Sequence, residues 1–314
     1  MADFKTKCPL CGDVLSAGGY IAEFSADIGA TCFRLFYEPS GAEILRFPSS
    51  ESERNTNIYL FGNPILFPPN RIRGGRFVFN GREYVFPVNE PKTGCFIHGE
   101  LLNMPFVRSE TRSDEIVFAY SVKKGEYIGF MHDFTVIRRY ILSENGLEEQ
   151  TTIVNDGETE MPVMLAYHTT LNLDFCKNKN DVKLEVPVTE EYLRDVNFLP
   201  TGEIACGRKR DIDLANGDFV PADQAFSAFY KANGKTVALL KSGKGIDVRY
   251  EADEIFGYRM LYRGNGDDFA VCEPQTCAID CFHLKQSPEN SGLIVIKKAE
   301  SKTFKTRICI EKNK

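Results

Sequence analysis

The sequence holds no tryptophan and only four histidines. It has no uncharged apolar run approaching the ~20 residues of a membrane-crossing helix. Its opening residues, Met-Ala-Asp-Phe-Lys-Thr-Lys, lack the apolar stretch and cleavage site of a secretory signal. No run of Lys and Arg exceeds three residues, and 38 Lys+Arg against 44 Asp+Glu leave a formal charge of −6 at pH 7. Nucleic-acid binding, which needs a basic face to meet phosphates, is excluded as a leading class, and acidic partners are disfavoured equally. Helical periodicity is nearly missing, no Ser/Pro/Gly-rich linker divides the chain, and no repeat of ~20–50 residues marks a propeller or solenoid.

Cysteine is not scarce. Ten are scattered along the chain, a usage that suits a reducing compartment, the cytoplasm, better than a disulfide framework. Cys8-x-x-Cys11 has the spacing of a zinc knuckle, but a structural zinc takes four ligands, and Cys277 and Cys281 offer the one other close pair. Two free thiols in a leader is the preferred reading. In place of tryptophan stand 24 Phe and 13 Tyr, and 43% hydrophobic with 26% charged residues are globular values. A chain of 314 residues hides roughly three-quarters of its unfolded surface, enough for a large core without staples.

Short runs rich in Val, Ile, Phe, Tyr and Thr, bounded by Gly, Asn, Asp and Pro, read as strands almost throughout. Three of the five Asn-Gly pairs have flanks that look like paired strands: 76–79 with 83–86, 134–137 with 149–154, and 226–230 with 236–240. Further strands are expected at 115–122, 163–173, 182–186, 246–250, 258–262, 270–272, 293–296 and 304–310. Such dense patterning implies an all-β protein of two large packed antiparallel sheets. The expected organisation is a leader at 1–17 and a single domain at 18–314.

The scarce histidines can be weighed one by one. His98 follows the stretch Asn63-Pro64-Ile65-Leu66-Phe67-Pro68-Pro69-Asn70-Arg71, whose prolines rule out a central strand and suggest a rigid loop presenting Asn70 and Arg71. Alternation over Leu165-Ala166-Tyr167-His168-Thr169-Thr170-Leu171-Asn172 would put His168, Thr170 and Asn172 on one face. Glu273 ends an apolar run and precedes Pro274, so its carboxylate is expected at a strand end, facing a cavity or rim. His132 and His283 have no motif around them and default to structural roles. The non-functional alternatives are a strand-end carboxylate for Glu273, a loop charge for Arg71 and a turn cap for Asp223.

Together these segments resemble the aldose 1-epimerase, or galactose mutarotase-like, family. The similarity is collinear over residues 18 to 312. It opens on Phe24-Ser25-Ala26-Asp27-Ile28-Gly29-Ala30 and continues through Asn70-Arg71, the Gly-Arg-Phe-x-Phe-Asn-Gly hairpin, Asn89-Glu90 and Ile97-His98-Gly99. His168-Thr-Thr-Leu-Asn-Leu is similar to the family's second histidine strand, with Thr170 and Leu171 where an aromatic pair usually stands. Glu273-Pro-Gln-Thr resembles the catalytic-glutamate motif, although Cys277-Ala278-Ile279-Asp280 departs from the Asp-Ala-x-Asn that often follows. Asp223 resembles the sugar-binding aspartate.

The resemblance implies a large antiparallel β-supersandwich, no metal or organic cofactor, and interconversion of the α and β anomers of a free aldose. Glu273 would be the base and His168 the acid, His98 would hold a sugar oxygen and help share the ring-oxygen proton, and Arg71, Asn70 and Asp223 would bind the sugar. The expected partner is a small-molecule sugar held with millimolar affinity, about −4 kcal/mol, with no nucleic acid or membrane; monomer or homodimer is left open. One alternative is a hexose-6-phosphate 1-epimerase, which needs further cations, and Arg73 and Arg76 lie nearby in sequence. The other is a non-catalytic sugar-binding or regulatory protein on the same fold.

Overall fold

The computed structural model describes residues 7–176, 178–243, 245–288 and 290–312. Among them the strands build two eight-stranded antiparallel sheets. The first runs in the order Val107–Thr111, Glu115–Val122, Phe134–Ser143, Gly146–Asn155, Ser301–Lys312, Ile246–Ala252, Thr236–Lys241, Lys183–Glu185. In the second, Pro200–Ala205, Val188–Arg194, Phe226–Ala232, Tyr258–Arg263 and Phe269–Gln275 lie side by side. Thr169–Asn172 and Ala166–Tyr167 share the far edge of Phe269–Gln275, and Ile65–Leu66 follows outside Ala166–Tyr167. A four-stranded sheet made of Asp13–Ala17, Tyr20–Ser25, Thr31–Tyr37 and Ala42–Glu43 is added near the N-terminus. This is the expected all-β architecture of two large antiparallel sheets. Of the leader, residues 1–6 lie outside the described residues, while Asp13–Ala17 pairs along its length with Tyr20–Ser25. No helix among the described residues is long and apolar enough to cross a membrane.

The core lies between the inner faces. Phe134–Ser143 shows why: Phe134, Val136, Tyr140 and Leu142 are buried while the residues between them are half exposed, the period-2 pattern of a strand with one face inside. Arg138 occupies the third of the five inward positions and is fully buried. Its guanidinium meets Glu149 Oε1 at 2.7 and 2.9 Å and donates to the carbonyls of Gly29 and Asn63, at 2.6 and 3.2 Å. Asn63 Nδ2 in turn donates to Glu149 Oε2 at 2.7 Å. A buried ion pair persists only when its remaining polar atoms are satisfied. Here the satisfied pair ties the chain at Asn63, just before the proline-rich segment, to the first sheet.

Two of the three expected hairpins form, Arg76–Phe79 with Arg82–Val85 and Phe134–Ser143 with Gly146–Asn155. The third does not. Phe226–Ala232 pairs with Tyr258–Arg263 in the second sheet, whereas Thr236–Lys241 pairs with Ile246–Ala252 in the first. Asn233-Gly234 reverses the chain, but the reversal carries it from one sheet to the other. The crossing is held by buried Arg259, whose guanidinium donates to the carbonyls of Gly234 and Thr236 at 3.1 and 3.4 Å. Turn chemistry specifies a reversal; which strands then pair is decided by the packing of both sheets. The expected strand at 163–173 is likewise interrupted, into Met161–Val163, Ala166–Tyr167 and Thr169–Asn172.

Candidate active site

The break at His168 lies opposite Glu273 and beside Pro274. Ala166 faces Gln275 and Thr169 faces Cys272, so the same register puts His168 opposite Glu273 and Tyr167 opposite Pro274. Pro274 has no N–H to continue the ladder, and the His168 N–H turns to the carbonyl of Pro64 at 3.0 Å. Glu273 therefore does not end its strand, as the sequence suggested, because Phe269–Gln275 runs through Pro274 and is buried along its length. Directly opposite residues share a face, and His168 Nε2 lies 3.5 Å from Glu273 Oε1. Asn172, expected on the His168 face, spends its amide on the carbonyls of Glu43 and Leu45, at 3.1 and 3.0 Å.

The second histidine arrives from the loop side. Arg71–Arg73 pairs with Cys95–Ile97, and His98 follows with φ +68, its N–H on the Asn70 carbonyl at 3.0 Å. Gly99 must be glycine: its φ is +66, and a Cβ there would meet the carbonyl oxygen of Phe67 at 1.9 Å. His98 Nδ1 accepts the Asn70 N–H at 3.3 Å, which leaves the proton of the neutral ring on Nε2. The rings of His98 and His168 meet edge to face with centroids 5.4 Å apart, and Tyr59 lies against both, at 4.6 and 5.9 Å.

These groups line a cavity of about 440 Å³ together with Asn70, Arg71, Glu90, Arg194, Phe198, Ser227 and Met260, among others. The volume suits a small-molecule site. Arg71 is gripped by Glu90, Nε to Oε2 and Nη2 to Oε1, each at 2.6 Å, and its guanidinium stacks over Phe198 at 4.7 Å. Asn70 is buried, and its side chain accepts the Arg71 N–H at 3.1 Å. Asn70, His98 and Phe198 are three of the seven non-glycine residues with positive φ among the described ones. Backbone strain of that kind gathers where surrounding structure holds a functional group in place.

Burial sets the protonation states. It raises the Glu273 carboxyl from 4.5 to about 8, against the opposing hydrogen bond from Gln275 and the charges of Arg194 and Arg71. His168 falls from 6.5 to about 4, again through burial, with the backbone of His168 itself and of Tyr59 working the other way. His98 is driven well below the usual histidine value by burial and then by the charges of His168 and Arg71. Burial also pushes the Glu90 carboxyl up, but the hydrogen bonds from Arg71 and Thr93 outweigh it and hold Glu90 low. The cavity thus holds two neutral imidazoles, a compensated Arg71–Glu90 pair, and a carboxyl that keeps its proton at neutral pH.

Of the residues singled out in the sequence, Glu273, His168, His98, Arg71 and Asn70 come together here. Asp223 does not. It is exposed at the end of the turn Pro221–Asp223 and lines a separate groove with Lys209, Arg210 and Asp213; the cavity position on the following strand belongs to Ser227. Arg73 and Arg76 also point elsewhere, paired with Asp280 and Glu83 at 3.3 and 3.7 Å. His132 is buried on the Tyr84 hydroxyl at 2.6 Å, whereas His283 is exposed and meets Asp280 Oδ1 at 2.7 Å. Cys8 packs with Phe33 and Phe61, in a different cluster from Cys281, whose thiol meets the Met164 sulfur at 3.8 Å. No group of three or more His, Cys, Asp and Glu among the described residues is arranged to hold a metal ion. Sequence reasoning missed Arg194, Phe198 and Glu90 as site residues. For Glu90 the one available signal was the Asn89-Glu90 pair within the family resemblance.

Residues 23–309 match the sequence model of a family described as aldose 1-epimerase. The chain is 30% identical over 186 residues to a protein of Arthroderma benhamiae described as "Probable aldose 1-epimerase", covering 54% of this chain and 42% of that protein. It is 21% identical over 255 residues to the uncharacterized Escherichia coli protein YphB, covering 79% and 83% of the two chains. Among solved structures it superposes on a galactose mutarotase-like protein from Clostridium acetobutylicum with a TM-score of 0.89 and 27% identity, over 96% of this chain and 95% of that one.

Proposed function

From the premise that the chain belongs to the aldose 1-epimerase family, we propose that it is an isomerase interconverting the α and β anomers of an aldose. The observation that carries the reading is the approach of His168 Nε2 to Glu273 Oε1, 3.5 Å apart in a cavity of small-molecule size. Anomer exchange needs a base at the C1 hydroxyl, an acid at the ring oxygen, rotation about C1–C2 and closure from the other side. In this reading Glu273 takes the C1 hydroxyl proton while His168 gives a proton to the ring oxygen.

The resting pair, GluH beside neutral His, carries one proton. Passing it to His168 creates the carboxylate and imidazolium that open the ring, and opening the ring returns both groups to their neutral forms. Closure runs the same transfers backwards, so no proton has to be drawn from solvent during the cycle. His98, neutral with its Nε2–H free of the Asn70 contact, donates to a sugar oxygen beside His168. Arg71, fixed by Glu90, donates to hydroxyls. The chain reads as one mutarotase-like domain into whose N-terminal sheet Asp13–Ala17 is built, and the cytoplasm is the compartment that its ten cysteines suit.

Polarimetry of freshly dissolved α-D-galactose and α-D-glucose tests the reading. Optical rotation should relax faster with protein than in buffer alone, and Glu273→Gln should abolish the gain. Sugar binding without any acceleration, across these and other aldoses, would favour the non-catalytic alternative.

A further inference from the structure

Two guanidinium groups line the cavity, and they differ. Arg71 is neutralised by the two-pronged contact with Glu90. Arg194, the last residue of Val188–Arg194, has no carboxylate within 4 Å among the described residues. Its Nη2 donates to Ser227 Oγ at 3.0 Å, its Nη1 rests on the Met260 sulfur at 3.6 Å, and Phe198 lies under it at 5.8 Å. A guanidinium has five N–H donors in a rigid fork, so most of this one's capacity is unspent. Desolvation lowers Arg194 to about 10, with Arg71 adding to the shift and Glu273 opposing it, and even so it stays charged at neutral pH. Across the cavity the charges of Arg71 and Glu90 cancel and Glu273 keeps its proton, which leaves one uncompensated positive charge inside a protein of net charge −6. A half-buried cation of this kind is costly unless an anion meets it.

Building on the epimerase reading, we infer that the sugar this cavity takes carries an anionic oxygen group, a carboxylate, sulfonate or phosphate, which docks on Arg194 while the anomeric centre lies at Glu273 and His168. The planar fork matches such groups in a two-pronged geometry that a hydroxyl cannot fill. Phe198, over whose ring both guanidinium groups lie, lines the same cavity. Arg194 is then the residue that separates acidic sugars from their neutral parents.

The test compares each neutral aldose with its acidic counterparts: glucose with glucuronate, glucose 6-phosphate and 6-sulfo-6-deoxyglucose, and galactose with galacturonate. Anomer exchange is measured by NMR for wild type, Arg194→Gln and Arg194→Lys, with folding checked by thermal melting. At least one acidic sugar should exchange with a kcat/KM about tenfold or more above its neutral parent, and Arg194→Gln should cut that ratio by about 10- to 100-fold, with Arg194→Lys between. Which acidic sugar responds identifies the anion. Equal handling of neutral and acidic sugars by wild type, or an unchanged ratio in Arg194→Gln, would overturn the inference. Binding of methyl glucuronide against methyl glucoside, neither of which can mutarotate, separates the two claims. Preference for the glucuronide that is lost in Arg194→Gln sustains the anion site even if no exchange is seen, whereas absence of both exchange and preference removes it along with the epimerase reading.

Discussion

His168 Nε2 and Glu273 Oε1 lie 3.5 Å apart across two antiparallel strands, at positions directly opposite in register. Pro274, without an N–H, leaves one ladder hydrogen bond unmade beside them, and the pleat turns both side chains to the same face, where they line the cavity. Each group is moved by burial toward its neutral form, Glu273 up and His168 down. A base and an acid separated in this way hold one proton between them over a broad range of pH.

That proton count predicts a bell-shaped pH profile. Below about 4 the pair gains a second proton and loses its base; above about 8 it loses its last proton and with it the acid. Because the groups interact, the limbs belong to the pair rather than to either residue. kcat/KM for anomer exchange, measured from pH 3.5 to 9.5, should be flat between the limbs. A rate still rising through pH 9 would contradict the shared-proton account.

Stability should move the other way when the carboxyl is removed. Glu273 is raised from 4.5 to about 8 in the folded protein, so the folded state holds a proton that the unfolded state releases in this window. Wild-type stability therefore falls as pH rises between these values. Glu273→Gln cannot ionise and should melt higher than wild type at pH 8, by an amount on the order of several kcal/mol at most, with the gap closing toward pH 4. Thermal melts of the two proteins at pH 4, 6 and 8 check this, and a gap independent of pH would refute it.

The Arg71–Glu90 contact is read as a device for holding Arg71 against the substrate. Glu90→Gln should raise KM about tenfold or more with a smaller change in kcat, and Arg71→Met should do the same. The double variant should be little worse than either alone, a coupling of about 1–3 kcal/mol. Additive effects would show that the two residues act independently.

Beneath the site, Glu149→Ala would leave the fully buried Arg138 without its counter-charge and Asn63 without an acceptor. A loss of about 3–5 kcal/mol in unfolding free energy is expected, measurable by denaturant titration. A change below about 1 kcal/mol would show that the network is not what anchors the Asn63 segment.

Much of this was legible in the sequence, and for physical reasons. Alternating strands such as Phe134–Ser143 announce themselves because one face must be apolar, Arg138 apart. Asn80-Gly81 announces its hairpin because few residues tolerate both positive φ values, +47 and +72. His98, His168 and Glu273 stood out through scarcity and through motif. What stayed hidden depends on tertiary register. Asn233-Gly234 reverses the chain between sheets, and nothing local to it names the partner strand. Pro274 looked like a strand end because a missing N–H is a local fact, whereas the gap opposite, at His168, is not. Asp223 pointed to the right stretch of chain but sits in the turn before the strand, in another groove. Arg194 is one arginine among many in sequence, and its lack of a carboxylate partner among the described residues exists only in the fold.

The central claim is that Glu273 moves the proton that opens the sugar ring. Saturation transfer between the α and β anomer signals measures that step directly, on the same sample in which line broadening reports binding. Wild type should exchange the anomers of at least one aldose well above the buffer rate. Glu273→Gln should still bind that sugar yet lose a factor of about 10² to 10⁴ in exchange. Exchange that persists in Glu273→Gln at the wild-type rate would contradict the assignment of Glu273 and the mechanism built on it.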